Sequence, residues 1–101
     1  MSRLEQLQKL AAIEPNDPLS HFGVGLELIN LERWTEAAEA FAATIQCDAN
    51  YSAAYFQQGR CYHAAGETDA AREALTQGVT VAHQQGDMKT VGEMRELLDS
   101  L

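Results

Sequence analysis

The sequence predicts an all-α protein made of stacked helical hairpins. Residues of matching size recur 34 positions apart, as Gly25 and Gly59, Ala37 and Ala71, and Phe41 and Leu75. A fixed period of this length indicates repeated units that stack on one another. Within each unit, apolar residues recur at spacings of three and four residues, as on one face of a helix. A chain of 101 residues suggests a single domain, residues 1–101.

The first element, residues 2–14, is predicted to be an amphipathic helix. Leu4, Leu7 and Leu10 are spaced to form one apolar stripe. Ser2 and Glu5 have the spacing of a capping box at the helix start. The helix has no preceding partner in the repeat pattern, so we expect an isolated half-hairpin.

The second helix is predicted from Pro18 to about Asn30, with Asp17 as its N-cap. It is apolar on more than one face, which indicates burial on all sides or a face that receives a partner. One stripe fits the interior of the repeat, and the other comprises Leu19, Phe22, Leu26 and Ile29.

The next helices complete two hairpins. Thr35 and Asp69 are equivalent positions, and both are predicted N-caps of the second helix in their repeats. Gly66 and Gly86 are predicted to end helices. The predicted units are repeat 1, residues 18–51, and repeat 2, residues 52–85.

The last helix, residues 87–101, is predicted to begin after Asp87 and to cap the stack. Met88, Val91 and Met94 are predicted to face inward, and Glu93 outward. No glycine-alanine pattern is evident in this helix. A terminal element shields the end of a repeat stack from water, which favours a capping role.

The repeat resembles the tetratricopeptide repeat (TPR) family, whose pattern is W-x2-L-G-x2-Y, A-x3-F and a final P. Repeat 1 reads His21-x2-Val24-Gly25-x2-Leu28, then Ala37-x3-Phe41, then Ala49. Repeat 2 reads Tyr55-x2-Gln58-Gly59-x2-Tyr62, then Ala71-x3-Leu75, then His83. His21, Gln58 and the missing prolines depart from the pattern, but Pro15, at the end of the preceding half-repeat, lies one repeat period before Ala49. The resemblance covers residues 2 to about 85 and implies a right-handed α-α superhelix.

The resemblance also implies a concave groove, lined by the first helix of each repeat, that binds proteins or peptides. The groove residues carried over from the family are Leu19, Phe22, Leu26, Ile29, Phe56, Arg60 and His63. The chain is therefore expected to be a non-catalytic adaptor or scaffold that binds a peptide or an amphipathic helix. The alternatives are a small structural homodimer formed through the same groove, or a groove covered by the last helix.

The amino-acid composition narrows the classes of partner that the chain is expected to bind. The chain has 7 basic and 15 acidic residues, for a net charge of −8, which argues against nucleic acid and anionic membranes. No apolar run is long enough to span a bilayer, and we expect a cytoplasmic protein. Cys47 and Cys61 are expected to be reduced thiols, and no metal or cofactor is expected.

An enzyme is the third and weakest hypothesis. Cys61 and His63 are two positions apart on one helix, so they point to different sides and do not form a dyad. The carboxylate clamp of chaperone-binding TPR domains is not expected either. Its Asn, Lys and Arg positions correspond here to Phe22, Leu26 and Gln57.

Overall fold

The computed structural model describes residues 1–101 and contains six α-helices and no β-strand. They are α1 Arg3–Ile13, α2 Pro18–Asn30, α3 Trp34–Cys47, α4 Ser52–Ala64, α5 Thr68–Gln84 and α6 Met88–Asp99. Each helix packs against the next along the chain, and α4 also contacts α6. The result is a stack measuring 40 × 28 × 18 Å. The predicted all-α stack of helical hairpins is confirmed.

The predicted starts of α1 and α2 are confirmed. The Ser2 hydroxyl accepts a hydrogen bond from the backbone N–H of Glu5 at 3.1 Å, and the Glu5 carboxylate accepts one from the N–H of Ser2 at 3.4 Å. This pair forms the expected capping box. The Asp17 carboxylate accepts from the N–H of Leu19 at 3.0 Å. Both caps satisfy N–H groups that have no partner inside their helices.

The predicted N-caps Thr35 and Asp69 are wrong. Both α3 and α5 begin two residues earlier than these caps predict, with Arg33 and Glu67 at the N-cap positions, and neither start has a side-chain cap. The reason is that the tight turns are closed by the preceding helices. The backbone N–H groups of Arg33 and Glu67 donate to carbonyls of α2 and α4, at 2.9 and 2.8 Å. Because the turn ends at those residues, the next helix starts immediately after them.

The repeated glycines and large apolar residues meet directly. A Cβ placed on Gly25 would lie 2.6 Å from the Phe41 ring, and one on Gly59 would lie 2.5 Å from Leu75. Phe41 and Leu75 are completely buried, each at the centre of one of two core clusters. The glycines therefore remove the Cβ atoms that would block these contacts. This is the physical basis of the repeat period.

The predicted orientation of α6 is partly wrong. Val91 and Met94 are buried, as expected, but Met88 is 53% exposed. Glu93 is half-buried rather than pointing outward. Met88 is the first residue of α6 and belongs to neither core cluster, whereas Val91 and Met94 belong to the second one.

The start of α6 is tied to the start of α4 through Asp87. Its carboxylate accepts hydrogen bonds from the backbone N–H of Thr90 at 3.2 Å and from the Ser52 hydroxyl at 2.8 Å. The hydrogen bonds from Thr90 and Ser52 hold the pKa of Asp87 below its ordinary value. This contact fixes where α6 lies against the rest of the stack.

Candidate functional site

Four of the predicted groove residues line cavities to which α2, α4 and α6 contribute: Ile29, Phe56, Arg60 and His63. Ile29 of α2, Arg60 and His63 of α4, and Leu97 of α6 line one cavity together. Alternate helices of the stack therefore share this surface. It is the side of the molecule where the sequence places partner binding.

The α2 part of this surface contains two exposed leucines. Leu19 is 63% exposed and Leu26 is 40% exposed. They are seven positions apart, which places them on the same face of α2, two turns from each other. We call this pair the leucine patch. The alternative in which the last helix covers the groove is wrong for both residues.

Phe22 and Ile29 contribute to the core as well as to this surface. Both side chains are half-buried and pack against the core cluster around Phe41. The Phe22 ring lies edge-on to Phe41, with 5.4 Å between the ring centroids, and 5.0 Å from the ring of Tyr51. Replacing Phe22 would therefore disturb stability and the surface together. The leucine patch is the cleaner place to test binding.

The α4 and α6 part of the surface is a trough formed by two adjoining cavities. One, of about 350 Å³, is lined by Phe56, Arg60, Glu93, Glu96, Leu97 and Ser100. The other, of about 230 Å³, is lined by Ile29, Trp34, Arg60, Cys61, His63, Ala64 and Leu97. Arg60 and Leu97 line both cavities, so the two adjoin, and we call them together the trough. Phe56 is half-buried in its wall, and His63 is exposed.

The sequence did not predict the α6 wall of the trough, which Glu93, Glu96 and Leu97 supply. A signal for it was present. Glu93 follows Arg60 by one position less than the repeat period, and Glu96 follows His63 by the same interval. The spacing between the last two units is thus shorter by one position, so α6 does not match the exact repeat period.

Arg60 is an unpaired cation in the trough. Its guanidinium donates to the Gln57 side-chain oxygen at 2.8 Å and lies 5.8 Å from the centre of the Phe56 ring. No carboxylate oxygen forms an ion pair with it, because the ion pairs in the structure involve Arg3, Arg33 and Arg72. The ring and the amide hold the guanidinium in place. Its charge remains available to a ligand.

Cys61 lies in the core. Its side chain is completely buried, and burial raises the pKa of the thiol to about 11, with the nearby Arg60 charge opposing the rise. The reactive form of cysteine is the thiolate. Burial therefore disfavours both the ionisation of this thiol and the access of a substrate to it.

The Cys61 thiol makes the free energy of unfolding depend on pH in the alkaline range. In the unfolded chain the thiol ionises near its ordinary pKa of 9.0, but in the folded chain only near 11. Its contribution to stability is therefore complete below pH 9 and is lost as the pH rises toward 11. We expect the free energy of unfolding, measured by urea denaturation, to fall across this interval.

The Cys61→Ala variant is the control for this pH dependence. Burial also raises the pKa values of Tyr51, Tyr55 and Tyr62, so part of the decline belongs to the tyrosines. In the variant, the decline in the free energy of unfolding should lose the contribution of the cysteine and keep that of the tyrosines. Equal declines in the wild type and the variant would show that the thiol pKa is not raised.

Membrane crossing and metal binding are the two remaining classes of site. No helix combines the length and the apolar character that crossing a membrane requires. No group of three or more His, Cys, Asp or Glu side chains is arranged to hold a metal ion.

A stack of helical hairpins with a surface shared by alternate helices defines a helical-repeat protein. The family profile described as tetratricopeptide repeat matches residues 28–91. The TPR repeat-containing protein PA0015 of Pseudomonas aeruginosa is 32% identical over 98 residues, which span 97% of this chain and 93% of that protein. The chain belongs to the tetratricopeptide repeat family, and the predicted resemblance is confirmed.

Solved structures share the fold. The protein BPP2914 from Bordetella parapertussis superimposes with a TM-score of 0.84 at 25% identity, covering 99% of this chain and 87% of that one. PcrH, crystallised in complex with the chaperone binding region of PopD, gives a TM-score of 0.91 at 17% identity, covering 96% and 74%. Family and fold together indicate a protein-interaction module of a typically non-catalytic class.

Proposed function

We propose that this chain binds an amphipathic helix or an extended peptide of another protein across the leucine patch and the trough. The observation that carries the proposal is the exposure of Leu19 and Leu26 on one face of α2. The half-buried Phe22 lies between them on the same stripe, and apolar side chains that adjoin one another at a surface indicate a contact site. An amphipathic segment would bury them with its own apolar residues.

The trough gives the partner a charge pattern. The unpaired Arg60 favours a carboxylate on the partner segment, because a charged hydrogen bond to a guanidinium is stronger than a neutral one. Glu93 and Glu96 line the same cavity as Arg60 and favour a basic residue nearby. We therefore expect a partner segment with apolar anchors at one end and both signs of charge at the other. The net charge of −8 makes nucleic acid and anionic membranes poor partners.

Support for a protein partner comes from the family and the fold. PcrH, which has the same fold, was crystallised with a region of PopD. At 17% identity this likeness concerns the fold, so it supports the class of partner and not its identity. The second candidate function is a structural homodimer formed through the leucine patch, since a second copy would bury the same two side chains.

Photo-crosslinking inside the native cells tests the proposal. A photoreactive amino acid replaces Leu19 or Leu26 in two variants, and Leu31 in a matched control. Leu31 is also an exposed leucine, 49% exposed, but it follows α2 and has the register of the opposite face. We expect crosslinks to one heterologous protein from positions 19 and 26 and not from 31. Crosslinks to a second copy would support the homodimer, and their absence from both positions would refute both candidates.

Once that partner is known, the double variant Leu19→Glu/Leu26→Glu should lose its affinity. Burial of a leucine side chain contributes about 1.5–3 kcal/mol, so losing two contacts should raise Kd at least about 100-fold. The free energy of unfolding should change by less than about 1 kcal/mol, because both side chains are exposed. Titration calorimetry measures the first quantity and urea denaturation the second. An unchanged Kd would place the binding site elsewhere.

A further inference from the structure

The two ends of the stack expose faces that are covered in the complete hairpins. In each complete hairpin, the second helix presses a large apolar side chain onto a glycine of the first: Phe41 onto Gly25, and Leu75 onto Gly59. Leu7 of α1 precedes Phe41 by one full repeat period, so α1 has the register of a second helix. No first helix lies beside it in the structure.

The face of α1 where that first helix would pack is open. Leu10 corresponds, one and two repeat periods later, to Thr44 and Gly78. Thr44 and Gly78 are both buried, whereas Leu10 is 47% exposed. The residue that the repeat register places inside a hairpin is therefore at the surface of α1.

The last helix has the register of a first helix. Gly92 follows Gly59 by one position less than the repeat period. The same interval separates Glu93 from Arg60 and Met94 from Cys61. Glu93 and Arg60 both line the trough, and Met94 and Cys61 are both completely buried. Gly92 thus takes the place of Gly59. It is exposed, and nothing lies within 4 Å of where its Cβ would be.

The open faces of α1 and α6 match each other. In the hairpin of α4 and α5, a Cβ on Gly78 would lie 2.6 Å from the Cβ of Tyr55. The equivalent residues at the ends of the stack are Leu10 on α1 and Met88 on α6. Both are exposed large hydrophobic residues, at 47% and 53%. Positions that touch inside a complete hairpin are therefore exposed and apolar at opposite ends of the chain.

Charge is compatible with the same pairing. The two helices of a hairpin run antiparallel. If Leu7 of α1 lies on Gly92 of α6, then Arg3, four positions before Leu7, lies opposite Glu96, four positions after Gly92. The Arg3 side chain is 75% exposed and contacts Glu27 only loosely, at 3.8 Å. An approaching carboxylate would find it accessible, and the contact would weaken at high salt.

We propose that α1 of a second copy of this chain docks on α6, completing a hairpin with Leu7 on Gly92 and Leu10 on Met88. The contact joins two different surfaces, so it is heterologous and each added copy presents a fresh end. This contact between copies would repeat the packing that α2 makes with α3, and α4 with α5, inside each chain. The contact is centred on α1 and α6, whereas the leucine patch lies on α2.

Two variants, each with one end blocked, test the proposal by light scattering. Leu10→Glu blocks the α1 face, and Met88→Glu blocks the α6 face. The average molar mass of the wild type should rise with protein concentration, above the 11.1 kDa of one chain. Each variant alone should remain at 11.1 kDa, because every possible contact contains one buried glutamate. An equimolar mixture should reach twice that mass and no more, since each variant keeps one working face.

Ala12→Glu is the matched control, because it adds the same charge to α1. Position 12 corresponds to Gln46 and Thr80, which are exposed in the complete hairpins, so this variant should associate as the wild type does. A wild type that stays at 11.1 kDa at millimolar concentration would overturn the proposal. So would single variants that still form dimers, which is the behaviour of a symmetric interface elsewhere, such as the leucine patch.

Discussion

Replacing Phe41 with alanine is expected to lower the free energy of unfolding by about 3–5 kcal/mol. The side chain is completely buried and packs against Gly25 and Phe22. Removing the ring leaves a cavity bounded by helices that already contact one another, so the site cannot close without moving them. Urea denaturation with circular dichroism measures the loss. Ile13→Ala is the control, because Ile13 is 74% exposed and should change stability by less than about 0.5 kcal/mol.

A double-mutant cycle shows whether the ring and the glycine form one structural unit. In the wild type, Gly25→Ala should destabilise the protein, because the new Cβ would lie 2.6 Å from the Phe41 ring. In the Phe41→Ala background the ring is absent. There the same substitution should stabilise the protein by about 1 kcal/mol, the gain of alanine over glycine in a helix. The same sign in both backgrounds would contradict the contact.

Gly59→Ala and Gly92→Ala should change stability in opposite directions. An alanine Cβ at position 59 would lie 2.5 Å from the Leu75 side chain, which is completely buried. Overpacking of this kind costs about 1–3 kcal/mol. At position 92 nothing lies within 4 Å, so Gly92→Ala should gain about 1 kcal/mol from helix propensity alone.

The comparison is best made by urea denaturation at low protein concentration, where any association through α6 is negligible. A stabilised Gly59→Ala would show that the first and second helices do not approach as closely as the structure indicates. A destabilised Gly92→Ala would show that another part of the chain covers α6. In either case the placement of the glycines in the stack would be wrong.

The sequence alone predicted the hairpin stack. Helical periodicity and the repeat period are properties of neighbouring residues and of copied units, so they can be read without coordinates. The recurrence of Gly25 as Gly59 and of Phe41 as Leu75 belongs to that repeat, and the structure shows that each glycine meets the large side chain of its own repeat. The side-chain caps at Ser2 and Asp17 were also predicted, because a cap bonds to N–H groups two or three positions away.

The structure was needed to separate residues of one sequence stripe. Leu19, Phe22 and Leu26 have the same spacing pattern on α2, yet the two leucines are exposed and Phe22 is half-buried. The difference comes from Phe41 and Tyr51, whose rings reach Phe22 from elsewhere in the chain. Periodicity within a helix describes which residues share a face. It does not describe which part of that face another helix covers.

What the sequence by itself determined is therefore the repeat, the class of fold and the helix face on which partners are expected. Only the tertiary structure decided which residues of that face are open, that Glu93 and Glu96 join Arg60 in one trough, and that Met88 is exposed. The physical reason is that the exposure of a side chain depends on which other helix packs against its face, and neither the periodicity within one helix nor the repeat period records that packing.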